Sequence, residues 1–313
     1  MRRLIGLIGT IALVSMATIA SAATPEVVLD DPGVYEYASS ASDGYLVWSA
    51  NSKAKPDKTH SYVMADGGSP VRIDPPGGQS FSAAIDGTTI VYERDTPEGV
   101  NDFWFYDAVT EVRSVAPDGV NTPNHEIRPS LSGDWLLFTR SNDNRVPARD
   151  AWRKIVLFNT STSTSIVLRT MPSRSSYLVS DQVNGDWATF ESCLFLGGDY
   201  SDCQVFRYQI STGELVLLAN PGVQQYAGAV SGDGTVYLVR TANRDHWVCG
   251  SHSKLVRYPV GGPAVIIARL PDGRDAFTTF ALDETGGSTT MYFDRDGCNG
   301  RSGIYRILNA DTA

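Results

Sequence analysis

The stretch EVVLDDPG, residues 26–33, decides the architecture, because it is one part of a repeat whose remaining parts lie at the far end of the chain. Five later segments share its form, a short β-rich run closed by a Pro/Gly turn: SPVRIDPPGG (69–78), TEVRSVAPDG (110–119), SIVLRTMPS (165–173), ELVLLANPG (214–222) and AVIIARLPDG (264–273). Each comes last in its repeat. The final repeat ends at GIYRIL (303–308) and has no such run of its own, so the N-terminal stretch supplies it.

Working outward, a Gly-containing turn followed by a β-rich run recurs as SDGYLVWS (42–49), IDGTTIVYE (85–93), SGDWLLFTR (132–140), NGDWATFE (184–191), SGDGTVYLVR (231–240) and GGSTTMYFD (286–294). The marker glycines Gly44, Gly87, Gly133, Gly185, Gly232 and Gly286 are spaced by 43 to 54 residues, the spacing of propeller blades. Ahead of each turn stands a strand of small or aromatic residues, as in FSAAI (81–85) and YAGAV (226–230), which suits the narrow centre of a propeller. A polar loop then leads to a third strand, such as FWFYDA (103–108) or IVLFNT (155–160), and a second tight turn leads to the fourth. No stretch after residue 22 keeps a helical period. The fold expected is therefore all-β: a six-bladed β-propeller of four-stranded blades, with the N-terminal strand completing the last blade so that the two chain ends pair.

These units resemble the TolB-like six-bladed propellers, whose blades carry a Ser-Pro-Asp-Gly turn before an aromatic-ended strand. The likeness runs through residues 23–313. The Pro of that turn is absent from all six units, and Asp-Gly is kept at Asp43-Gly44, Asp86-Gly87 and Asp233-Gly234. The resemblance implies a binding platform, used for protein partners across the mouth of the central channel. A fold of this kind also hosts enzymes, so function has to be argued from the site.

Residues 1–22 read as a secretory signal peptide: Arg2 and Arg3, an apolar run from Leu4 to Ile19, and the small-residue end Ala20-Ser21-Ala22. The alternative is an uncleaved anchor over Leu4 to Pro25. The signal peptide implies export, to a periplasmic or extracellular location, and residues 23–313 are expected to form one propeller domain. The sequence holds 26 basic against 35 acidic residues, a formal net charge of −9. Nucleic acid is an unsuitable partner, because its binding needs clustered cations for phosphates.

All four cysteines fall in loops between second and third strands, on the face that also carries the connections between blades. In an exported chain they point to disulfides. Three pairings exist in principle; topology selects Cys193 with Cys203 across one hairpin and Cys249 with Cys298 between the last two blades. Long loops on one side of a rigid scaffold are where function concentrates. There the candidates are His125, Glu126 and Arg128 of the third blade, Gln225 beside Gln224 and Tyr226 in the fifth, and Arg274 and Asp275 in the sixth. Together they form a polar channel entrance; the plainer alternative for each is a solvated rim residue. Trp152, and His246 with Trp247, stand among Arg and Asp and suit sugar or peptide contact, or pack beneath their own loops. DRDGCNG (294–300) places Asp294, Asp296 and Asn299 at a spacing loosely like a calcium loop without its terminal Glu, so calcium is the one cofactor considered.

No G-x-S-x-G, H-E-x-x-H or phosphate-binding glycine loop is present. The reading that follows is a non-catalytic binding module for a protein or peptide on the long-loop face, with carbohydrate as the alternative ligand. In that alternative the chain is a lyase or glycosidase, marked by two carboxylates converging in one pocket.

Overall fold

A computed structural model describes residues 25–143, 145–196, 199–218, 223–241, 253–269, 275–297 and 302–312. The signal-peptide stretch, Arg274, His246, Trp247, Cys249, Cys298 and Asn299 lie outside the described residues. The described residues form twenty-four strands in six antiparallel sheets of four. Blade 1 is β2 (Val34–Ser42), β3 (Tyr45–Ser52), β4 (Lys55–Ala65) and β5 (Val71–Arg72); blade 2 is β6 (Ser80–Asp86), β7 (Thr89–Asp95), β8 (Asn101–Asp107) and β9 (Arg113–Val115). Blade 3 is β10 (His125–Ser132), β11 (Trp135–Ser141), β12 (Trp152–Asn159) and β13 (Thr164–Pro172). Blade 4 is β14 (Ser176–Asn184), β15 (Trp187–Leu196), β16 (Asp199–Gln209) and β17 (Glu214–Leu217); blade 5 is β18 (Gln224–Val230), β19 (Val236–Thr241), β20 (Lys254–Tyr258) and β21 (Val265–Arg269). Blade 6 is β22 (Asp275–Asp283), β23 (Thr290–Gly297) and β24 (Ser302–Ile307), completed by β1 (Glu26–Leu29).

The clasp expected from EVVLDDPG is thus present. β1 lies antiparallel to β24 with Glu26 opposite Arg306, Val27 opposite Tyr305 and Leu29 opposite Ile304. Gly303 is required there, since a Cβ would stand 2.6 Å from the Leu29 carbonyl oxygen. Arg306 Nε adds an ion pair to Glu26 at 3.0 Å.

The cores sit in the seams between blades. Val47 and Val63 of blade 1 pack with Ile85, Ile90 and Tyr92 of blade 2, and Leu137 and Leu157 of blade 3 pack with Val183 and Phe190 of blade 4. Burying residues of this size contributes about 1.5–3 kcal/mol each, so the seams carry most of the cohesion.

On the tight-turn face a polar ring ties blade to blade. The last residue of an inner strand accepts the N–H of the next blade's turn glycine: Ser42 Oγ from Gly87 (3.0 Å), Asp86 Oδ2 from Gly133 (2.7 Å), Ser132 Oγ from Gly185 (3.0 Å) and Asp283 Oδ2 from Gly44 (3.2 Å). Blade 5 departs. Glu284 reaches back to accept from Gly232 (2.8 Å) and from Asn184 Nδ2 (2.6 Å). This ring explains why the repeat reads Ser, Asp or Asn before glycine even where Asp-Gly is lost.

Two of the expected loops prove to be strand. β3 and β4 run on until only Lys53 and Ala54 join them, with Ser52 opposite Lys55. β15 and β16 likewise extend to Leu196 opposite Asp199. The Cys193–Cys203 disulfide closes this second hairpin, and both cysteines are buried in the cluster that contains Tyr226 of blade 5.

Candidate functional site

Every inner strand is broken by a bulge: between Ala38 and Ser40, Ser80 and Ala83, Ile127 and Ser130, Ser180 and Gln182, Tyr226 and Ala229, and Phe277 and Phe280. A bulge frees residues from the ladder and re-aims their side chains. In blades 3 and 4 the freed residues include a charged one: Arg128, with φ +53°, beside Pro129 in blade 3, and Asp181 in blade 4. A left-handed backbone at a non-glycine residue is uncommon and costs free energy. What holds it here is the carboxylate of Glu93, whose Oε2 accepts the Arg128 N–H at 3.2 Å.

Glu93 occupies a second-strand position that the repeat fills with Ser49, Glu93, Thr139, Glu191, Val239 and Asp294. In blades 1 and 3 that position seals the seam with a hydroxyl: Ser49 donates to the Phe81 carbonyl, and Thr139 accepts from the Ser180 N–H at 2.8 Å. Three blades substitute carboxylates, and all three are buried. Burial raises Glu93 to about 7 against its hydrogen bonds from Arg128 and Asn101, which lower it. Asp181 is raised well above the ordinary carboxylate range, chiefly by burial and then by Glu191, while the Gly228 amide and Arg128 pull it down. Its Oδ2 has no hydrogen-bond partner and stands 3.2 Å from where a Cβ on Gly228 would be. Arg128 is held protonated chiefly by its charge interaction with Tyr177, then by Glu191, Asp181 and Glu93, against burial.

This charged group connects to the mouth. Asn101 Nδ2 donates to Glu93 Oε1, and Asn101 Oδ1 lies 3.0 Å from His125 Nδ1, which is also 3.2 Å from the Asn101 N–H. A single ring nitrogen makes one of these two bonds in each tautomer. Asp95 and Asp102 flank the imidazole; both are raised by burial, and His125 opposes the rise. The result is a line of polar groups from half-exposed His125 through Asn101 and Glu93 to Arg128, Asp181 and Glu191.

The expected entrance residues therefore divide. His125 and Arg128 belong to this line, as residues within β10 rather than before it. Glu126 does not. It is fully buried, accepting from Arg140 Nε (2.7 Å), Thr122 Oγ1 (2.7 Å) and the Thr122 N–H (3.2 Å), and it braces the connection between blades 2 and 3. Burial raises it to about 7 against Thr122 and Arg140. Gln225 holds the equivalent place in blade 5, opposite Arg240, and is 1% exposed with neither amide atom bonded. Asp275 begins β22. Trp152 begins β12; its N–H donates to Asn142 Oδ1 at 2.7 Å and Lys154 Nζ stands 4.1 Å from its ring centroid, covering one face of the ring. Asp294 is buried in β23, and among the described residues no group of three His, Cys, Asp or Glu is placed to hold a metal.

Sequence reading missed Glu93, Asn101, Tyr177, Asp181 and Glu191. The signal was an acidic residue inside a β-rich run, YER at 92–94 and FES at 190–192, where a buried carboxylate needs a partner.

No protein-family model matches the chain, and no curated protein matches it significantly. Solved structures do. A putative TolB from Agrobacterium tumefaciens aligns with a TM-score of 0.55 at 14% identity, over 89% of this chain and 91% of that one. An oligogalacturonate lyase in complex with manganese aligns with a TM-score of 0.53 at 11% identity, over 92% and 97%. TolB from Acinetobacter baumannii aligns with a TM-score of 0.50 at 18% identity, over 88% of this chain but 63% of that one, so the chain spans under two thirds of its length. At these identities the likeness is one of fold, and the fold is that of the TolB-like six-bladed propellers.

Proposed function

We propose that the chain is an exported binding module that takes a protein or peptide on the long-loop face, at the mouth between blades 2 and 4. The observation that carries this reading is Arg128. It is a cation in a strained left-handed bulge, held by a buried Glu93 and set among Asp181, Glu191 and Tyr177. Strain of this kind collects at binding and catalytic positions, and among the described bulge residues of the inner strands Arg128 alone has a left-handed backbone. The half-exposed His125, with Asp95 and Asp102, gives the partner a polar rim to meet before it reaches the guanidinium. The Cys193–Cys203 staple fits an oxidising compartment.

The test is partner capture from the envelope fraction by the immobilised chain, with His125→Ala and Arg128→Gly. The second variant keeps the left-handed backbone without strain. Loss of captured bands in both, with the melting temperature of the parent chain kept in His125→Ala, is the expected result; capture equal to that of the parent chain would remove the site.

A second reading has its own observation. Buried Glu191 adds to burial in raising Asp181, and two carboxylates near enough to influence each other are the feature expected of a glycosidase. Turnover of an oligosaccharide panel, abolished by Asp181→Asn, would favour it over the binding module.

A further inference from the structure

A second place in the molecule is built around an unmatched charge. One third-strand position points into the seam toward the next blade near the tight-turn face, and the repeat fills it with Val63, Phe105, Leu157, Arg207, Arg257 and Arg306. The first three are apolar and pack in the seams. Two of the three arginines have partners. Arg207 Nη1 donates to the Gly234 carbonyl at 2.9 Å, with its guanidinium 5.3 Å from the Trp187 ring centroid. Arg306 Nε pairs with Glu26 at 3.0 Å.

Arg257 has none. No hydrogen bond or ion pair to it is present among the described residues, and its Nε is buried without an acceptor. It lines a cavity of about 250 Å³ with Tyr237, Asp233, Thr289, Glu284 and Asp311. Two of these carboxylates are engaged. Asp233 Oδ1 accepts from Ser231 Oγ (2.6 Å) and the Thr235 N–H (2.8 Å), and Glu284 Oε2 holds the Gly232 and Asn184 groups of the ring. Asp311 is exposed and takes only a long bond from the Thr289 N–H, 3.4 Å. The cavity therefore offers a half-buried guanidinium with an open fork inside and a nearly free carboxylate at its edge.

A guanidinium left without its hydrogen bonds calls for a ligand that supplies them, and a carboxylate does so bidentately. A plain anion would meet three carboxylates. A ligand that brings its own cation for Asp311 and Glu284 would not be repelled, and the volume, below that of drug-sized pockets, suits a small molecule. We propose that the seam between blades 5 and 6 is a binding site for a free α-amino acid, its carboxylate on Arg257 and its ammonium toward Asp311.

The experiment is a thermal-shift and calorimetric screen of the intact chain against the twenty free amino acids, with glucose and inorganic phosphate alongside. At least one amino acid should raise the melting temperature by a few degrees at saturating concentration. That rise should vanish in Arg257→Leu, which copies Leu157 of blade 3, and in Arg257→Gln should the first fail to fold. Asp311→Asn should weaken binding about tenfold. No response to any amino acid, a response that survives loss of Arg257, or a response to glucose or phosphate alone would overturn the proposal. The site lies on the face opposite the long loops, so partner capture by Arg257→Leu should match that of the parent chain whichever way the screen falls.

Discussion

The two mouths of the ring are built on opposite plans. At the tight-turn mouth a short polar side chain meets a glycine N–H again and again, and blades 1, 2, 3 and 6 use the same inner-strand position for it. At the long-loop mouth equivalent positions hold different chemistry: Glu126 bonded to Arg140 in blade 3 but Gln225 unbonded opposite Arg240 in blade 5, Ser49 in blade 1 but Glu93 in blade 2. Repetition marks the parts that hold the ring together. Departure from the repeat marks the parts free to acquire a task.

This contrast predicts a ranking of effects. The largest belongs to Glu126→Ala, which takes the carboxylate from Arg140 Nε and Thr122 in a nearly closed site and leaves Arg140 only its bonds to the Gly119 and Val120 carbonyls. Breaking a buried pair costs about 3–5 kcal/mol, and urea unfolding should show a loss of at least 3 kcal/mol; a loss near zero would return Glu126 to the functional rim. Next, replacing both Cys193 and Cys203 with serine should cost about 2–4 kcal/mol through the lost bond in the oxidised protein, and less under reducing conditions that already open the bond, where only the burial of two hydroxyls remains, as equilibrium unfolding in the two conditions would report.

The third is a pH dependence that separates the mouths. Glu93 is raised from 4.5 to about 7 in the folded chain. Between these values the folded state holds a proton that the unfolded state has released, so stability is greatest below about pH 4.5 for this group and falls as pH rises through 7. Glu36, raised to about 7 chiefly by burial, adds to the fall. The Glu93 contribution is about 3 kcal/mol, and Glu93→Gln should flatten the fall by that amount. At the other mouth Asp233 is lowered by its bonds from Ser231 and Thr235 despite burial, so its contribution is present above pH 3.8 and lost in stronger acid. A denaturation series from pH 3 to pH 8 should therefore peak near pH 4.5–5; a curve rising toward pH 8 would reverse the assignment. Smallest of all, Ser132→Ala removes one bond from a ring with four other ties and should cost about 1 kcal/mol.

The same contrast sets what could be read from the sequence. The blade count, the four-strand order and the borrowed β1 follow from repetition, and a repeat states its rule several times over; the Cys193–Cys203 staple follows from the hairpin that the repeat places around it. The site was only half legible. His125 and Arg128, which fall on the polar line, could be singled out because they stand at a strand start next to a connection. Glu126, two residues from Arg128, differs from it only in facing a seam, and side-chain direction at a bulge is not written in the residue types. Glu93 and Glu191 hid inside apolar runs, and Asp181 acts through a one-residue slip in register. The polar loop expected between second and third strands is, in blade 1, the extended end of the β3–β4 hairpin, for a related reason. Polar residues there pair across an extended hairpin, and hydrophilic sequence does not distinguish a loop from the exposed end of a strand.

The clasp also fixes an order of events in time. Glu26 lies opposite Arg306, 280 positions later in the chain. The first strand of the ring to be synthesised must wait, unpaired and edge-exposed, until almost the whole of the rest exists. Contacts of such span are late and slow to form, so any product that stops short of β24 has five blades that can assemble and a sixth that cannot. For this chain, closing the ring serves as a check that all six blades have been made.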